Sequence, residues 1–254
     1  MALSVRQVNI LNHLRQNGRA RVEELVRLFG KTPQTVRKDL QALADAGQVR
    51  RFHGGASLLA RTEYVSFEIR REIAPAQKRA IGAAAARRIP DHASLFINVG
   101  TTTLEVARSL RRHSGLKVIT DNVETANEIR KYPGLEVIIA GGIVRSSDGA
   151  IVGEEAVDFI RQFKVDFAVI GAASIDLDGT LLDYDFREAA VVKAIVANAR
   201  HVILTADSGK VGSSAPIRIG HLSKMDTFVT DICASSAIRQ LCSEAGVSLV
   251  EAGS

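Results

Sequence analysis

Apolar positions fall into two regimes along this chain. Over the first 56 residues they recur at helical spacing in three short bursts: Val5, Val8, Leu11 and Leu14; then Val22, Leu25, Val26 and Phe29; then Val36, Leu40 and Leu43. Each burst stops at a glycine, Gly18, Gly30 and Gly47 in turn, which predicts three short amphipathic helices. Thr32 suits the N-cap of the third, and Pro33 suits its first position, where a missing N–H is not needed. Val49-Arg50-Arg51-Phe52-His53-Gly54-Gly55 then reads as a strand turning back on a Gly-Gly tip.

The second regime starts at residue 77. Gln77–Ile89 is alanine-rich and helical, and Pro90 stops it. Strand-like runs follow at Leu95–Val99, Lys117–Thr120, Glu136–Ala140, Phe167–Ile170, Val202–Ala206, Thr227–Thr230 and Val247–Val250. Helical patterns alternate with them at Leu104–Arg112, Val123–Lys131, Glu155–Phe163, Glu188–Ala199 and Ser235–Ala245. Such alternation predicts an α/β domain with a mostly parallel sheet. Residues 58–76 lack clean periodicity. The expected organisation is a mainly helical head over 1–57, a linker over 58–76 and an α/β body over 77–254.

Composition narrows the class. The 254 residues are 46% hydrophobic and 24% charged, the balance of a globular chain. No apolar run reaches the roughly 18–20 residues of a membrane helix, and no secretory pattern opens the chain. Cys233 and Cys242 are the only cysteines, which fits neither a zinc site nor a disulfide framework and predicts a cytoplasmic setting.

Charge changes the picture more. Residues 1–56 hold ten Arg or Lys and four Asp or Glu, a net +6, so the remainder of this +5 chain carries −1. A basic head on a near-neutral body predicts a polyanion partner for the head. With Val36, Leu40 and Leu43 turned inward, the third helix presents Gln34, Lys38 and Gln41 outward, flanked by Thr35 and Arg37. Two short helices joined by a tight glycine turn, the second basic outside, describe a helix-turn-helix whose second helix enters the DNA major groove. Arginine and glutamine suit base edges because they bond them bidentately. Arg50, Arg51 and His53 on the wing are placed for the phosphate backbone, where contacts give affinity and register. The candidate DNA-contacting set is Thr32, Gln34, Thr35, Arg37, Lys38, Arg50, Arg51 and His53.

In the body, the strand ends share one chemistry. They run into Gly100-Thr101-Thr102-Thr103, Thr120-Asp121-Asn122, Gly141-Gly142, Gly171-Ala172-Ala173-Ser174 and Asp207-Ser208-Gly209-Lys210. Open α/β sheets bind ligands outside the carboxyl ends of their strands, so these loops are expected to converge on one crevice. Gly100–Thr103 opens a helix, where unpaired N–H groups and the helix dipole favour an anion. Lys210 and Arg145 are candidate cations. The candidate ligand-binding set is Asn98, Gly100, Thr101, Thr102, Thr103, Asn122, Gly141, Gly142, Arg145 and Lys210.

Pro33-Gln34-Thr35-Val36-Arg37-Lys38-Asp39-Leu40 with Arg51-Phe52-His53-Gly54-Gly55 resembles the signature of the DeoR family of bacterial transcriptional repressors, which implies a winged helix-turn-helix. Gly100-Thr101-Thr102, Ala140-Gly141-Gly142, Arg145 and the Asp207–Lys210 loop resemble the family's effector domain. That domain is similar in fold to ribose-5-phosphate isomerase and binds phosphorylated sugars or polyols. Arg145–Glu154, Asp158–Phe163 and Ile175–Asp183 resemble the branch of the family that responds to glycerol 3-phosphate. The resemblance thus implies an operator-DNA partner, a homo-oligomer (dimer or tetramer), glycerol 3-phosphate or a related metabolite as effector, and no cofactor. Five positions depart from the pattern, two of them in the closing loop, which usually reads Ser-Lys-Phe and here is Gly209-Lys210-Val211. The family often has Asp where this chain has Asn98, and Asn where it has Asp121. Its usual lysine on the helix after Glu188 is Val192 here, with Lys193 beside it.

An isomerase reading needs a general base, and Asp176, Asp183 and Glu188 stand near the expected crevice. A separate DNA-binding head has no use in such an enzyme. Neither Gly-x-x-x-x-Gly-Lys nor Gly-x-Gly-x-x-Gly occurs, and the six histidines follow no metal-ligand spacing. The expectation is a ligand-controlled repressor rather than an enzyme.

Overall fold

A computed structural model describes residues 4–17, 19–46, 48–52, 54–58 and 67–253. They form two compact units, Met1–Val65 and Ser66–Ser254. The first contains α1 (Val5–Asn17), β1 (Arg19–Arg21), α2 (Val22–Phe29), α3 (Pro33–Asp45), β2 (Val49–Phe52) and β3 (Gly55–Leu58). The strands make an antiparallel sheet in the order β1-β3-β2, so the unit is a winged helix-turn-helix. Ile10, Leu11, Leu14, Leu25, Val36, Leu40 and Leu43 fill its core. The inward stripe of α1 runs through Ile10, Leu11 and Leu14. Val5, expected on that stripe, is 79% exposed at the first position of the helix. The sequence reading also missed β1: three residues with one apolar member carry no period. Gly55 lets it form, since a Cβ there would sit 2.4 Å from the Ala20 carbonyl oxygen.

The second unit runs α4 (Phe67–Arg71), α5 (Pro75–Ala86), β4 (Ser94–Ile97), α6 (Thr101–Ser109), β5 (Leu116–Thr120), α7 (Val123–Ile129), β6 (Leu135–Ile139), β7 (Ile143–Val144), β8 (Ile151–Val152), α8 (Glu154–Arg161), β9 (Val165–Ile170), β10 (Ser174–Ile175), β11 (Thr180–Asp183), α9 (Phe186–Ala197), β12 (Ala199–Thr205), β13 (Ile217–His221), β14 (Thr227–Thr230), α10 (Ser236–Ala245) and β15 (Ser248–Glu251). Seven strands form one all-parallel sheet, ordered β15-β14-β12-β9-β4-β5-β6. Successive side chains point to opposite faces, and both faces are covered. On β4, Leu95 and Ile97 join the cluster under α5 and α6, while Phe96 joins the one under α8, α9 and α10.

Two smaller pieces lie outside this sheet. β10, β11 and β13 make a short antiparallel sheet, and β7 pairs with β8 as a hairpin. The sequence reading missed these strands, which are polar or only two residues long and form no solid apolar run. Residues 67–71, inside the stretch read as linker, form α4, and a single buried aromatic, Phe67, anchors it.

Candidate functional site

In the head, α3 carries the candidate contacts. Thr32 caps it: its Oγ1 accepts from the Thr35 N–H at 3.3 Å and lies 2.9 Å from the Thr35 hydroxyl. Val36, Leu40 and Leu43 face the core, so Gln34, Arg37 and Lys38 are exposed. Asp39, on the same helix, is buried and held by Arg6 Nε at 2.5 Å and Gln7 Nε2 at 3.3 Å, which pins α1 to α3. Arg51 is exposed but engaged. It donates to Gln41 Oε1, and Gln41 donates to Asp45 at 2.6 Å, so the wing is tied to the later half of α3. The Arg50 side chain and all of His53 lie outside the described residues.

In the body, the five polar loops follow β12, β9, β4, β5 and β6, five neighbours in a parallel sheet. They therefore form one row at its carboxyl edge. Gly100 starts α6 without a side-chain cap, which leaves the first amides of the helix unsatisfied. A Cβ on Gly100 would lie 2.9 Å from Thr103 Oγ1. Gly171 sits between the α6 start and the end of β12. A Cβ there would meet Thr103 Cγ2 at 3.8 Å and the Thr205 carbonyl oxygen at 4.0 Å. A side-chain-free floor thus separates the α6 amides from the Asp207–Lys210 turn.

The expected ligand residues divide in two. Thr101 and Thr102 are nearly buried, yet their hydroxyls make no hydrogen bond among the described residues. Gly141 and Gly142 are exposed, and Lys210 is half-buried at the end of its turn. Lys210 is itself engaged within the protein, and so are Thr103, Asn98, Asn122 and Arg145. The Thr103 hydroxyl donates to the Asn98 carbonyl at 2.7 Å, so two threonine hydroxyls, not three, stay available. Asn98 Nδ2 donates to Asp121 Oδ2 at 2.7 Å, while Asp121 Oδ1 accepts from the Val99 N–H at 2.7 Å. Asn122, wholly buried, caps α7 by accepting from the Thr125 N–H at 2.8 Å and donates to the Asp148 carbonyl at 2.9 Å. Arg145 donates to Asp148 through Nε at 2.8 Å and Nη2 at 2.7 Å, to Asp185 through Nη1 at 2.8 Å, and to Glu188.

This carboxylate cluster sets the electrostatics. Burial pushes Asp121 up to about 7, against the hydrogen bonds from Asn98 and Val99. Burial and the neighbouring Asp183 charge push Glu188 up to about 8, against Arg145. Burial also raises Asp183. Asp185 is partly buried, but hydrogen bonds from Arg187 and Arg145 hold it well below the usual carboxylate range.

The sequence reading missed several partners. Arg70 on α4 donates to Asp148 at 3.3 Å, and the buried Lys78 on α5 donates to the Arg70 carbonyl. Asp207 caps its turn by accepting from the Gly209 N–H at 3.1 Å, and its second oxygen, buried, has no hydrogen-bond partner among the described residues. A lone Lys within an alanine-rich helix was the one available signal for Lys78. Arg70 and Asp148 stand 78 positions apart and had none.

A winged helix-turn-helix joined to an α/β unit with a polar crevice edge defines a ligand-responsive transcription regulator. Residues 6–62 match the model of the DeoR-like helix-turn-helix domain, and residues 73–232 match that of the DeoR C terminal sensor domain. The chain belongs to the DeoR family, as a DNA-binding transcriptional repressor and not an enzyme. It is 36% identical over 249 residues to the glycerol-3-phosphate regulon repressor of Escherichia coli, covering 98% of this chain and 99% of that protein. Against the glycerol-3-phosphate regulon repressor of Haemophilus influenzae it is 39% identical over 230 residues, 91% of this chain and 90% of the relative. Among solved structures, a ribose 5-phosphate isomerase from Methanocaldococcus jannaschii superposes with a TM-score of 0.40 at 15% identity, over 53% of each chain. No described helix is long and apolar enough to cross a membrane.

Proposed function

We propose that this repressor is released from its operator by a phosphorylated polyol or sugar, with glycerol 3-phosphate the first choice. The observation that carries this reading is the uncapped start of α6, with the Thr101 and Thr102 hydroxyls beside it, across the bare Gly171 floor from Lys210. Unpaired amides at a helix N-terminus and a lysine point charge are the means by which proteins hold phosphate. Sequence relatives named for the glycerol-3-phosphate regulon favour this effector over other sugar phosphates.

In this reading the Gly100–Thr103 amides, Thr101, Thr102 and Lys210 take the phosphate, and Gly141 and Gly142 leave room for the chain of the ligand. Asn98, Thr103 and Asn122 act by holding the loops. Arg145 anchors the acidic wall, and the free oxygen of Asp207 is an acceptor for a ligand hydroxyl. In the head, Gln34, Thr35, Arg37 and Lys38 read bases while Thr32, Arg50, Arg51 and His53 serve the backbone. Paired half-sites need paired heads, so the working form is a homo-oligomer in the cytoplasm. The domain division proposed is a head over 1–57, a connection over 58–76 and a sensor over 77–254.

The test is a titration of inverted-repeat operator DNA at fixed salt, with and without glycerol 3-phosphate. Release by glycerol 3-phosphate and not by glycerol is the expected result. Release only by a pentose or hexose phosphate replaces the effector, and no release by any phosphorylated compound overturns the reading.

A further inference from the structure

We propose that Asp207 decides which phosphorylated compounds the sensor accepts: its buried second oxygen takes a ligand hydroxyl and turns away a ligand carboxylate. The effector class is then a phosphorylated alcohol and not a phosphorylated acid. This rests on the reading of the body as an anion sensor.

The oxygen stands out in a structure whose buried polar groups are otherwise satisfied. Asp207 is 6% exposed, and its Oδ2 has no hydrogen-bond partner among the described residues. One other buried side-chain atom among them shares that state, the Thr125 hydroxyl, which is neutral. Buried polar groups are almost always paired, and leaving a charged one unpaired costs more than leaving a neutral one. A bare carboxylate oxygen at a sheet edge that holds a ligand points to a donor arriving from outside.

Looseness of the turn does not explain the bare oxygen. Asp207 Oδ1 accepts from the Gly209 N–H at 3.1 Å, and the Asp207 carbonyl accepts from the Lys210 N–H at 2.9 Å. The Ser208 N–H and hydroxyl both donate to Asp231, at 2.7 and 3.0 Å, just past the end of β14. On the other side the Gly212 N–H donates to the Ile175 carbonyl of β10 at 2.8 Å. With both ends of the turn fixed, the Asp207 carboxyl has no room to swing toward a partner of its own.

The fold sets it toward the anion end of the crevice. Leu204 and Ala206 belong to the cluster under α8, α9 and α10, and Ile203 belongs to the one under α5 and α6. Ala206 continues the ladder past β12 by donating to the Val229 carbonyl at 3.2 Å, and Asp207 itself has extended backbone. Alternation therefore puts Asp207 on the α6 side, with Ile203 and Thr205. The Thr205 carbonyl oxygen and Thr103 Cγ2 lie 4.0 and 3.8 Å from one point above Gly171. Asp207 is two residues further on, at most about 7 Å along the chain. A three-carbon phosphate ester held by the first amides of α6 spans that gap.

Chemistry then sets the preference. An ionised carboxylate offers acceptors only. A ligand hydroxyl supplies the missing donor, whereas an alkyl group supplies none and seals the bare oxygen away from water. A ligand carboxylate would set like charges together, and the Asp231 carboxylate bound by the next residue adds to the repulsion. A site built to bond a hydroxyl rejects an analogue lacking it far more strongly than an apolar pocket rejects an added one.

The experiment titrates the full-length chain with glycerol 3-phosphate, propyl phosphate and 3-phosphoglycerate, reading the rise in melting temperature and operator release at fixed salt. In the wild type, each of the last two is expected to need about 10- to 100-fold more compound than glycerol 3-phosphate. Asp207→Asn keeps an oxygen for the Gly209 N–H and puts a donor where the bare oxygen was. It is expected to weaken glycerol 3-phosphate by about tenfold and to narrow the gap to 3-phosphoglycerate by at least as much. A purely structural role would lower all three responses together; unchanged ratios in Asp207→Asn overturn the proposal. So does a wild type that responds equally to propyl phosphate or 3-phosphoglycerate, a result that needs no variant. Where a sugar phosphate proves to be the effector, its deoxy analogue and its matching phosphosugar acid take the same two places. Failure of the anion-sensor reading looks different: the wild type then responds to no phosphorylated compound at all.

Discussion

The head and the sensor use polar side chains in opposite ways. On α3, Gln34, Arg37 and Lys38 stand exposed and make no polar side-chain contact among the described residues, while Thr35 is half-buried beside the Thr32 cap. At the carboxyl edge of the sensor sheet, most polar residues are buried and spend their hydrogen bonds on one another: Asn98 on Asp121, Asn122 on Asp148, Arg145 on three carboxylates. A DNA-reading helix meets a partner that brings its own rigid array of acceptors, so its side chains wait in water. A crevice for a small anion must be built beforehand, and much of its polar chemistry goes into shaping loops. Polarity near a site is therefore evidence of contact in the head and more often evidence of scaffolding in the sensor.

The contrast can be broken by substitution. The largest effect is expected for Arg37→Ala. Loss of a base or phosphate contact should weaken operator binding by about 1–3 kcal/mol, while the thermal shift with glycerol 3-phosphate stays. If both responses fall together, the two regions are not separate in function. Asn122→Ala should act on folding instead. Removing an N-cap and a buried hydrogen bond costs about 1–3 kcal/mol in urea denaturation, and operator affinity of the folded fraction should not change. An intact stability with a lost ligand response would make Asn122 a ligand contact after all. Lys210→Ala sharpens the other side: operator binding persists, and the concentration of glycerol 3-phosphate needed for release rises by about tenfold, as for loss of one charge-assisted bond worth roughly 1.5 kcal/mol.

The smallest effect concerns pH. The folded-state pKa of Asp121, about 7, is above its ordinary value of 3.8. Between those pH values the unfolded chain has lost a proton that the folded chain keeps. Stability from this group is therefore present at low pH and declines as pH rises through 4 to 7. Asp185 has the opposite sign: its contribution is present above its unfolded pKa and is lost as pH falls below about 4. Asp121→Asn should flatten the fall in melting temperature between pH 5 and 8, while lowering it at every pH because an amide offers one acceptor where Asn98 and Val99 both donate. A profile parallel to the wild type would place the titration elsewhere in the cluster.

How much was legible follows from period and length. The head's three helices and the seven parallel strands were readable, because Val36, Leu40 and Leu43 repeat at 3.6 and runs such as Phe167–Ile170 are solidly apolar. α4, β1, the β7–β8 hairpin and the β10–β11–β13 sheet were not, because none of them is a solidly apolar run bounded by turn residues. For the candidate site, the row of glycine- and threonine-rich loops at one sheet edge could be foreseen from the strand ends. Which member faces the ligand could not. Thr101, Thr102 and Thr103 are identical in the sequence, and only the backbone turn after Gly100 sends the third hydroxyl back to Asn98. Arg145 likewise reads as a free cation until tertiary contacts bring Asp185 and Glu188 to it from about forty residues away.

Asn98 and Asp121 join two neighbouring strand ends through one buried hydrogen bond. Relative to the family's usual residues, they are the same pair with the acid and the amide exchanged. A change at one position alone would leave its partner mismatched. A chimera that took the β4 loop from a relative with Asp at 98 would set two carboxylates against each other inside the protein. One that took only the β5 loop would set two amides there. Exchange of sensor loops between members of this family should succeed when both loops travel together.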